Sequence, residues 1–432
     1  SLLIDGRTIH SLLDIKVPSD SNPNKRKKQA EQQLQPLSES RQLELQGTFQ
    51  NCKVLLVDEA SMINPSFLFH MHTRLKQILK SNDLLGGLPI VLLGDFFQLK
   101  PVVGNSFFDA AMTEMPPHRK ATPYGFGCDL LKAFKMITFT EQYRSKDPQH
   151  TATINQMRRV ETDKPITQTV LSSLQLLSES DLRPVLHTES GTLQPSKWTT
   201  APIVVTSNKE RHAINLAHAQ RYGKANGVPI LRWKKYLCVT DEIGECMSDL
   251  LYGTPVVLHS VVLSENDSSE VFRQMVDNAA PGEIIDIPVP YAVIVTVPNI
   301  DIVKFNTLHK SLLPDRVAIP LSYTADRNNK IKLEEQYVTY KSHSYELAYA
   351  VTFHKVQGQT VPCIILDVNK RPGLALGRLD FHGVYVGLTR VEYSANIRIL
   401  PCHDSDNFKH LLSLAPHSNL KAWLETVQVL QE

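Results

Sequence analysis

Two hydrophobic patterns alternate along most of the chain. Short runs of consecutive apolar residues, such as residues 54–57, are typical of strands buried on both faces, as in a parallel sheet. Longer segments, such as residues 67–79, place apolar residues three and four positions apart and predict helices with one buried face. On this basis we predict strands at 54–57, 90–93, 136–139, 203–206, 363–368, 384–386 and 397–400, and helices at 67–79, 128–134 and 208–222.

Two regions depart from this α/β pattern. Residues 22–46 are polar, which favours a solvated insertion. Their basic residues 25–28 could form a nuclear localisation signal or contact phosphate, but a solvated face is the favoured interpretation. Residues 223–343 are rich in proline, glycine and short β-like runs, which predicts a β-rich insertion. The simplest partition is a first α/β lobe at 1–138 and a second, containing this insertion, at 139–432.

Composition restricts the function only weakly. The 432 residues carry a formal charge of +2, so any surface that binds nucleic acid has to be local. Six cysteines include no C-x-x-C spacing, which argues against a zinc site or a disulfide framework and fits a reducing intracellular compartment. No apolar run approaches the roughly 20 residues of a membrane span, so no membrane partner is expected.

Adjacent acidic residues end the first predicted strand. The carboxyl ends of parallel strands face the ligand crevice of an open sheet. Asp58 can hold Mg²⁺ there, directly or through water, and Glu59 can orient or deprotonate the attacking water of a phosphate-hydrolysing enzyme. The alternative is an incidental acidic pair at a strand end.

The next predicted strand ends in Gly94-Asp95-Phe96-Phe97-Gln98. Glycine allows the backbone to turn sharply, and the amide of Gln98 can sense a γ-phosphate by hydrogen bonding and lose that bond after hydrolysis. The alternative is an ordinary strand-to-loop turn.

Two further arginines follow predicted strands. Arg144 comes after the strand at 136–139 and can reach a transferring phosphoryl group as a finger, while Tyr143 beside it can stack on a base. A surface ion pair is an equally acceptable interpretation of Arg144. Arg390 follows the predicted strand at 384–386 and would add a second positive contact to the γ-phosphate.

The most specific segment is ELAYAVTFHKVQGQT at residues 346–360. Its polar groups and flexible backbone can hold single-strand phosphates on one side, which we assign to Thr352, His354 and Lys355. Gln357 and Gly358 would respond to nucleotide on the other side. His354 alone could be an ordinary core histidine.

Taken in order, these motifs resemble the PIF-type helicases of superfamily one, which are related to RecD-like and Helitron-transposon helicases. The resemblance implies two RecA-like P-loop NTPase lobes, ATP and Mg²⁺ as cofactors, and 5′-to-3′ unwinding in DNA repair, recombination and telomere maintenance. The matching motifs are GRTIHS (6–11), VDEASM (57–62), GDFFQL (94–99), QYR (142–144), TSN (206–208), AYAVTFHKVQGQT (348–360) and VYVGLTR (384–390).

Carried over residue by residue, the resemblance assigns Asp58 to the metal, Glu59 to the water, Gln98 to phosphate sensing, and Arg144 and Arg390 to stabilisation of the transferring phosphate. His10, His354, Lys355 and Gln357 would lie near the DNA path or couple it to nucleotide. Two departures, Lys100 after the QL pair and the sequence QYRS, leave the subfamily open.

The family's phosphate-cradling motif, G-x-x-x-x-G-K-[ST], occurs nowhere in the 432 residues. The family places this loop before GRTIHS, so the resemblance implies that the first lobe is incomplete here and that the loop lies upstream. We therefore expect these residues alone to bind ATP poorly and not to hydrolyse it measurably.

The expected partners are single-stranded and forked duplex DNA, bound by a monomer in the nucleus or the mitochondrion. Three alternatives stay open: a non-catalytic nucleic-acid-binding module, the helicase portion of a Helitron-type transposon, and a relative that moves along RNA.

Overall fold

The computed structural model divides into two compact units, residues 9–210 with 351–432, and residues 211–350 with 1–8. Since the first unit combines residues from both sides of position 138, the division into lobes at 138/139 stays a prediction. The structure describes residues 6–16, 25, 28–29, 31–139, 141–159, 164–186, 193–233, 237–238, 256–263, 270–298, 300–308, 310–322, 324–333, 336–343, 345–370, 379–401 and 408–426.

The helices and strands are short, and both units mix them. The helices are α1 (Ile9–Leu12), α2 (Glu39–Phe49), α3 (Pro65–Leu79), α4 (Phe107–Met112), α5 (Pro123–Leu131), α6 (Pro148–Met157), α7 (Gln168–Ser173), α8 (Asn208–Asn226), α9 (Glu270–Asp277), α10 (Ile302–Leu308), α11 (Phe353–Val356), α12 (Phe381–Leu388) and α13 (Ser418–Thr426). The strands are β1 (Leu55–Val57), β2 (Ile90–Leu92), β3 (Val185–Leu186), β4 (Leu193–Gln194), β5 (Ile203–Val205), β6 (Ile230–Arg232), β7 (Leu237–Cys238), β8 (Val257–Val262), β9 (Ile284–Asp286), β10 (Ala292–Thr296), β11 (Ala318–Ser322), β12 (Thr324–Leu333), β13 (Gln336–Ser342), β14 (Ala350–Thr352), β15 (Ile364–Leu366) and β16 (Ile397–Ile399).

In the first unit, β1 and β2 pair in parallel through the crossover helix α3, which confirms the predicted strand–helix–strand arrangement. The side chain of Asn64 accepts a hydrogen bond from the Phe67 amide and starts α3, and Pro65 occupies the first turn, where a missing N–H is harmless. Leu68, Met71 and other apolar residues at this spacing are fully buried. The helix therefore packs its apolar face on the sheet and fixes where β1 and β2 end.

The interpretation of residues 22–46 as a solvated insertion is wrong for their last part. Helix α2 begins at Glu39, where Ser38 accepts a hydrogen bond from the Arg41 amide. Leu45 and Phe49 of this helix are buried in the same core as α3. Two buried apolar residues on an otherwise polar helix produce too weak a period to be recognised in the sequence.

A second parallel sheet belongs to the same unit. Strand β15 pairs in parallel with β5 and β16, and the sheet order is β14-β5-β15-β16. Every residue of β5 and β15 is buried, as expected for strands covered on both faces. These strands confirm the predictions at 203–206, 363–368 and 397–400.

The predicted strand at 384–386 is wrong, because these residues lie in helix α12. Asp380 caps the helix by accepting a hydrogen bond from the Gly383 amide, at 2.8 Å. All residues of α12 are buried. A helix buried on every side shows a continuous apolar run, which periodicity cannot distinguish from a buried strand.

The predicted strand at 136–139 is also wrong, since only Met136 makes a β-bridge. The side chains of Ile137 and Phe139 are 57% and 80% exposed, so no second layer covers this apolar run. The helix predicted at 128–134 is present but begins earlier, at Pro123.

The second unit contains the β-rich structure predicted for residues 223–343. Strands β8, β10 and β11 form an antiparallel sheet, and β12 and β13 form a long hairpin that pairs with β7. Among the described residues, none of the helices combines the length and the hydropathy needed to cross a bilayer.

Candidate functional site

The two acidic residues after β1 lie in a tight turn. Glu59 adopts a left-handed backbone conformation, with φ +55°, which costs a residue other than glycine about 1 kcal/mol. Its amide donates a hydrogen bond to Oδ1 of Asp58, at 2.8 Å. Asp58 is exposed, and its second carboxylate oxygen can therefore take a ligand.

Gly94 brings the end of β2 against this turn. The Ala60 amide donates to the carbonyl of Leu93, at 2.8 Å. A Cβ at position 94 would lie 2.9 Å from the Ala60 nitrogen, so only glycine fits without a shift of the backbone. The ends of β1 and β2 thus form one continuous edge that carries Asp58 and Glu59.

Asp95 connects this edge to two helices. Its Oδ2 accepts hydrogen bonds from Arg158 Nη1 and from the Tyr385 hydroxyl, each at 2.8 Å. Burial opposes the charge of Arg158, yet Asp95 and Tyr385 raise the pKa of this guanidinium above its usual value. Burial, reinforced by Asp95, raises the pKa of Tyr385 as well. The sequence analysis missed both partners, because nothing in the spacing of positions 95, 158 and 385 indicates that they meet.

Gln98 follows in the same loop, and its amide side chain is oriented inward. Its Oε1 is buried and has no hydrogen-bond partner among the described residues. An unpaired buried oxygen costs about 1–3 kcal/mol, and it can accept a hydrogen bond from a water. The loop is held from the other side by His382, whose Nδ1 lies 3.0 Å from the Phe97 carbonyl oxygen. The phosphate-sensing role of Gln98 stays a prediction.

The segment after α11 contacts the Glu59 carboxylate directly. Gln357 Nε2 donates to Glu59 Oε2 at 2.7 Å and lies 3.3 Å from the Ser61 hydroxyl. Gly358 follows with φ +75°, and a Cβ there would lie 2.8 Å from Glu59 Oε1. The structure therefore brings together three residues that the sequence analysis singled out separately, Glu59, Gln357 and Gly358.

The two predicted arginines lie beside the same segment. Arg144 donates from Nε to the Thr360 hydroxyl at 2.9 Å and from Nη1 to the Thr389 carbonyl at 3.2 Å. Arg390 is completely buried and donates from Nη2 to the Thr389 hydroxyl at 2.7 Å and from Nη1 to the Gln359 carbonyl at 3.4 Å. Since the whole side chain is enclosed, contact between Arg390 and a phosphate requires a rearrangement of the residues around it.

The electrostatics place Glu59, Arg144 and Arg390 in one region. Burial, and secondly the positive charge of Arg144, lower the pKa of Arg390 to about 10, while the negative charge of Glu59 opposes the shift. At neutral pH the guanidinium therefore stays charged. Glu59 and Asp95 both stabilise the charge of Arg390, and two arginines kept this close can still attract an additional anion.

The remaining predicted residues have contacts that do not test their roles. Tyr143 is 82% exposed and donates to the carboxylate of Glu141. His10 packs against the ring of Phe67, with centroids 4.5 Å apart, and burial lowers its pKa. The three residues of the 346–360 segment that were assigned to DNA lie together around α11. Thr352 is buried at the N-cap of this helix, His354 is exposed and Lys355 is half-buried.

Asp58 and Glu59 are better suited to a magnesium ion than to a metal whose ligands all come from protein side chains. In the part of the chain that the structure describes, no cluster of three or more histidine, cysteine or acidic side chains could hold a metal. Mg²⁺ is commonly held by one or two carboxylates, with waters and phosphate oxygens as its other ligands. Asp58, with a free hard oxygen at the strand edge, is the residue that would hold it.

Comparison with known sequences gives a consistent family. Residues 1–122 match the profile of the PIF1-like helicases. The chain is 28% identical over 131 residues to the ATP-dependent DNA helicase RRM3 of Saccharomyces cerevisiae, covering 30% of the chain and 17% of that protein. It is 22% identical over 393 residues to the ATP-dependent DNA helicase Pif1 of a Psychrobacter species, covering 84% of the chain. The chain spans 56% of the length of that relative, about half.

Comparison with solved structures extends the similarity in fold to almost the whole chain. A Bacteroides Pif1 bound to single-stranded DNA superposes with a TM-score of 0.56 at 18% identity, covering 97% of this chain and 83% of that one. The Pif1 helicase of Candida albicans gives a TM-score of 0.52 at 16% identity, covering 98% and 85%. The fold prediction, α/β with RecA-like lobes, is confirmed by these neighbours.

Proposed function

We propose that this chain is the motor part of an ATP-dependent DNA helicase, since residues 1–122 match the profile of the PIF1-like helicases and the chain has the fold of solved Pif1 helicases. The observation that carries the proposal is the meeting of Glu59, Arg144 and Arg390 beside residues 357–360. A motor of this kind needs a carboxylate that aims water and cations that stabilise the transferring phosphate, and this region supplies both.

Each residue at the strand edge would have one task. Asp58 would hold Mg²⁺, which supplies charge neutralisation between the β- and γ-phosphates of ATP when bound. Glu59 would accept a proton from, or orient, the attacking water. The unpaired oxygen of Gln98 supports a contact to that same water. Arg144 and Arg390 would face the developing negative charge.

The partners are proposed as single-stranded and forked duplex DNA. One similar structure is a Bacteroides Pif1 bound to single-stranded DNA, and a second similar structure, of unwinding at forked duplex DNA, concerns two coordinating Pif1 helicases. For this chain, His354 and Lys355 on α11, with Thr352 and His10, would contact the strand. We further propose 5′-to-3′ movement, roles in genome maintenance, action as a monomer, and a nuclear or mitochondrial location.

Hydrolysis would need a phosphate-cradling loop in addition to the described site. The 432 residues contain no G-x-x-x-x-G-K-[ST], whose backbone N–H groups and lysine supply most contacts to a triphosphate. We expect no measurable phosphate release by residues 1–432 in a malachite-green assay with single-stranded DNA. Turnover stimulated by DNA in the purified chain would contradict this part of the proposal.

The DNA-binding part is tested by salt dependence. Fluorescence anisotropy with a labelled oligothymidylate should show affinity that falls steeply between 50 and 200 mM salt, by roughly tenfold or more, because counterions are released from contacted phosphates. The formal charge is only +2, so a general attraction of the whole molecule contributes little. Absence of binding, or affinity that does not change with salt, would contradict a groove that follows the phosphates.

A further inference from the structure

A polar cavity of about 100 Å³ lies in the first unit, between α6, the carboxyl ends of α7 and α12, and β16. His150, Leu388 and Ile397 line it and are buried, whereas Gln149 and Gln175 line it and are exposed, which places them at its mouth. One enclosed water needs roughly 10–15 Å³ of such space, so the cavity has room for an organic group of a few non-hydrogen atoms. Among the described residues, none of those assigned to nucleotide or DNA lines it.

The side chain of His150 brings an unpaired nitrogen to this cavity. The residue is 3% exposed, and its Nε2 has no hydrogen-bond partner among the described residues. Burial lowers the pKa of His150, while the charge of Asp147 and a hydrogen bond with the Leu388 backbone oppose the shift. A backbone group that favours the charged imidazole is a carbonyl, so Nδ1 donates to it. In the neutral ring, Nε2 is then left as an acceptor.

The hydroxyl groups of Thr153, Ser173 and Ser394 also line the cavity, and their protons are already used. The first two donate to backbone carbonyls of the preceding helical turn, at 3.0 and 2.7 Å, and the third donates to the Asp147 carboxylate. Each hydroxyl oxygen therefore keeps only lone pairs for a ligand. Together with His150 Nε2 they make four acceptors, so a matching ligand group has to bring hydrogen-bond donors.

The charges around the cavity favour a positive group. Ser173 and Leu388 are the last residues of α7 and α12, so the carboxyl ends of both helices, with their partial negative charge, lie at the cavity. The positive end of α6 borders it too, but Asp147 caps that end by accepting from two amides of the first turn. The hydrogen bond from Ser394 is the main reason that the pKa of Asp147 falls to about 2, so this carboxylate is charged at neutral pH.

We propose that this cavity binds a small organic cation with N–H donors, a guanidinium or primary ammonium group, which donates to His150 Nε2 and to the hydroxyl oxygens of Thr153 and Ser173. Removing a cation from water is costly unless acceptors and opposite charge replace the water, and the cavity supplies both. Water is the competing occupant, because it can also donate to Nε2, but it gains little from the two helix ends. The inference does not rest on the proposed function.

The experiment follows the His150 ring directly, in the 432-residue chain labelled with ¹³C at the ε1 carbon of histidine. The 16 histidines give at most 16 signals of this kind, and the signal that is missing in His150→Gln belongs to His150. The probes are methylguanidinium and methylammonium chloride, added at constant ionic strength. N-methylurea, which has nearly the shape of methylguanidinium and no charge, is the neutral comparison.

We expect at least one of the two cations to shift the His150 signal saturably, with a dissociation constant on the order of 1 mM or below. N-methylurea should bind at least about tenfold more weakly. No shift with either cation would leave water as the occupant and overturn the inference. Binding of N-methylurea as tight as that of the cations would overturn it as well, because charge would then play no part.

Ser173→Ala tests whether the cation lies where the cavity places it. Loss of this acceptor should weaken binding of the cation about threefold or more, because hydrogen bonds to charged groups are strong. Ser172→Ala is the matched control: the Ser172 hydroxyl donates to the Gln168 carbonyl in the same helix, at 2.8 Å, and does not line the cavity. It should bind the cation like the wild type, and melting temperatures would show that both variants are folded. Equal affinities of Ser173→Ala and Ser172→Ala would contradict the assignment.

Discussion

Single residues at the candidate site adopt arrangements that lower stability. Glu59 has a left-handed backbone, Gln98 and Gln357 each bury an oxygen that has no hydrogen-bond partner among the described residues, and Arg390 is fully buried beside Arg144. Each of these features lowers stability by an amount on the order of 1 kcal/mol or more. The same features occur at other described positions, such as Lys80 and Leu85 with positive φ, so it is the meeting of Glu59, Arg144 and Arg390 that distinguishes this site.

A titratable residue beside the site makes a pH prediction. Asp147 caps α6 by accepting from the His150 amide, and a hydrogen bond from the Ser394 side chain is the main reason that its pKa falls from 3.8 to about 2. The folded state therefore binds this proton more weakly than the unfolded state. The stabilisation is complete above pH 4 or so and is lost as the pH falls to about 2.

In the variant Asp147→Asn, the free energy of unfolding should therefore depend less on pH between about 4 and 2. Above that range, the slope of the free energy against pH should change little. Urea unfolding monitored by circular dichroism at several pH values measures this. The slope should not vanish, since the pKa of Asp181, hydrogen-bonded by Arg398, is also lowered to about 2. A variant with the slope of the wild type would contradict the assignment.

At the scale of helices and strands, close packing of α3 and α5 fixes the position of the strand edge. Gly127 of α5 faces the first turn of α3, where a Cβ would lie 1.8 Å from the Pro65 carbonyl oxygen. By contrast, Gly47 of α2 has nothing within 4 Å of the corresponding position. The two glycines lie in helices of the same unit and differ only in what surrounds them.

Gly127→Ala should destabilise the protein by about 3 kcal/mol or more, because backbone has to move, whereas Gly47→Ala should stabilise it by about 1 kcal/mol through helix propensity. Chemical denaturation of both variants makes the comparison. Equal effects of the two substitutions would show that α3 and α5 do not pack as described.

Helices and strands with simple hydrophobic patterns could be predicted from the sequence. Segments whose conformation depends on tertiary packing could not. Strands β1 and β15 are short apolar runs between turns, and α3 has a clear period, so all three were predicted. Helix α12 is buried on every side, and its run of apolar residues predicts a strand instead. Residues 136–139 make only a single β-bridge, at Met136, because no described element covers their apolar side chains. No local pattern in the sequence reveals this.

The site was predicted as a set of residues and not as a geometry. Asp58, Glu59 and Gln98 follow strands, and that position alone indicated a common edge. The hydrogen bond between Gln357 and Glu59 joins residues 298 positions apart, and no spacing rule connects them. Arg158 and Tyr385 were missed for the same reason, because they became recognisable only through Asp95.

At the scale of the whole molecule, the groups of the candidate site lie in one unit. Residues 9–210 and 351–432 contain the strand edge, both arginines and α11, while residues 211–350 form a separate β-rich unit. Attraction to DNA has to come from local groups, since the net charge is near zero.

The claim on which the mechanism depends is that Glu59 acts on a water beside a phosphate held by Arg144 and Arg390. The decisive experiment measures DNA-stimulated ATP hydrolysis by a protein in which a phosphate-cradling loop, G-x-x-x-x-G-K-[ST], is joined to residues 1–432. Glu59→Gln keeps an acceptor for Gln357 and removes the charge. The account predicts that its kcat falls at least about 100-fold while its affinity for single-stranded DNA stays within about twofold of the wild type. Hydrolysis by Glu59→Gln at the wild-type rate would contradict it.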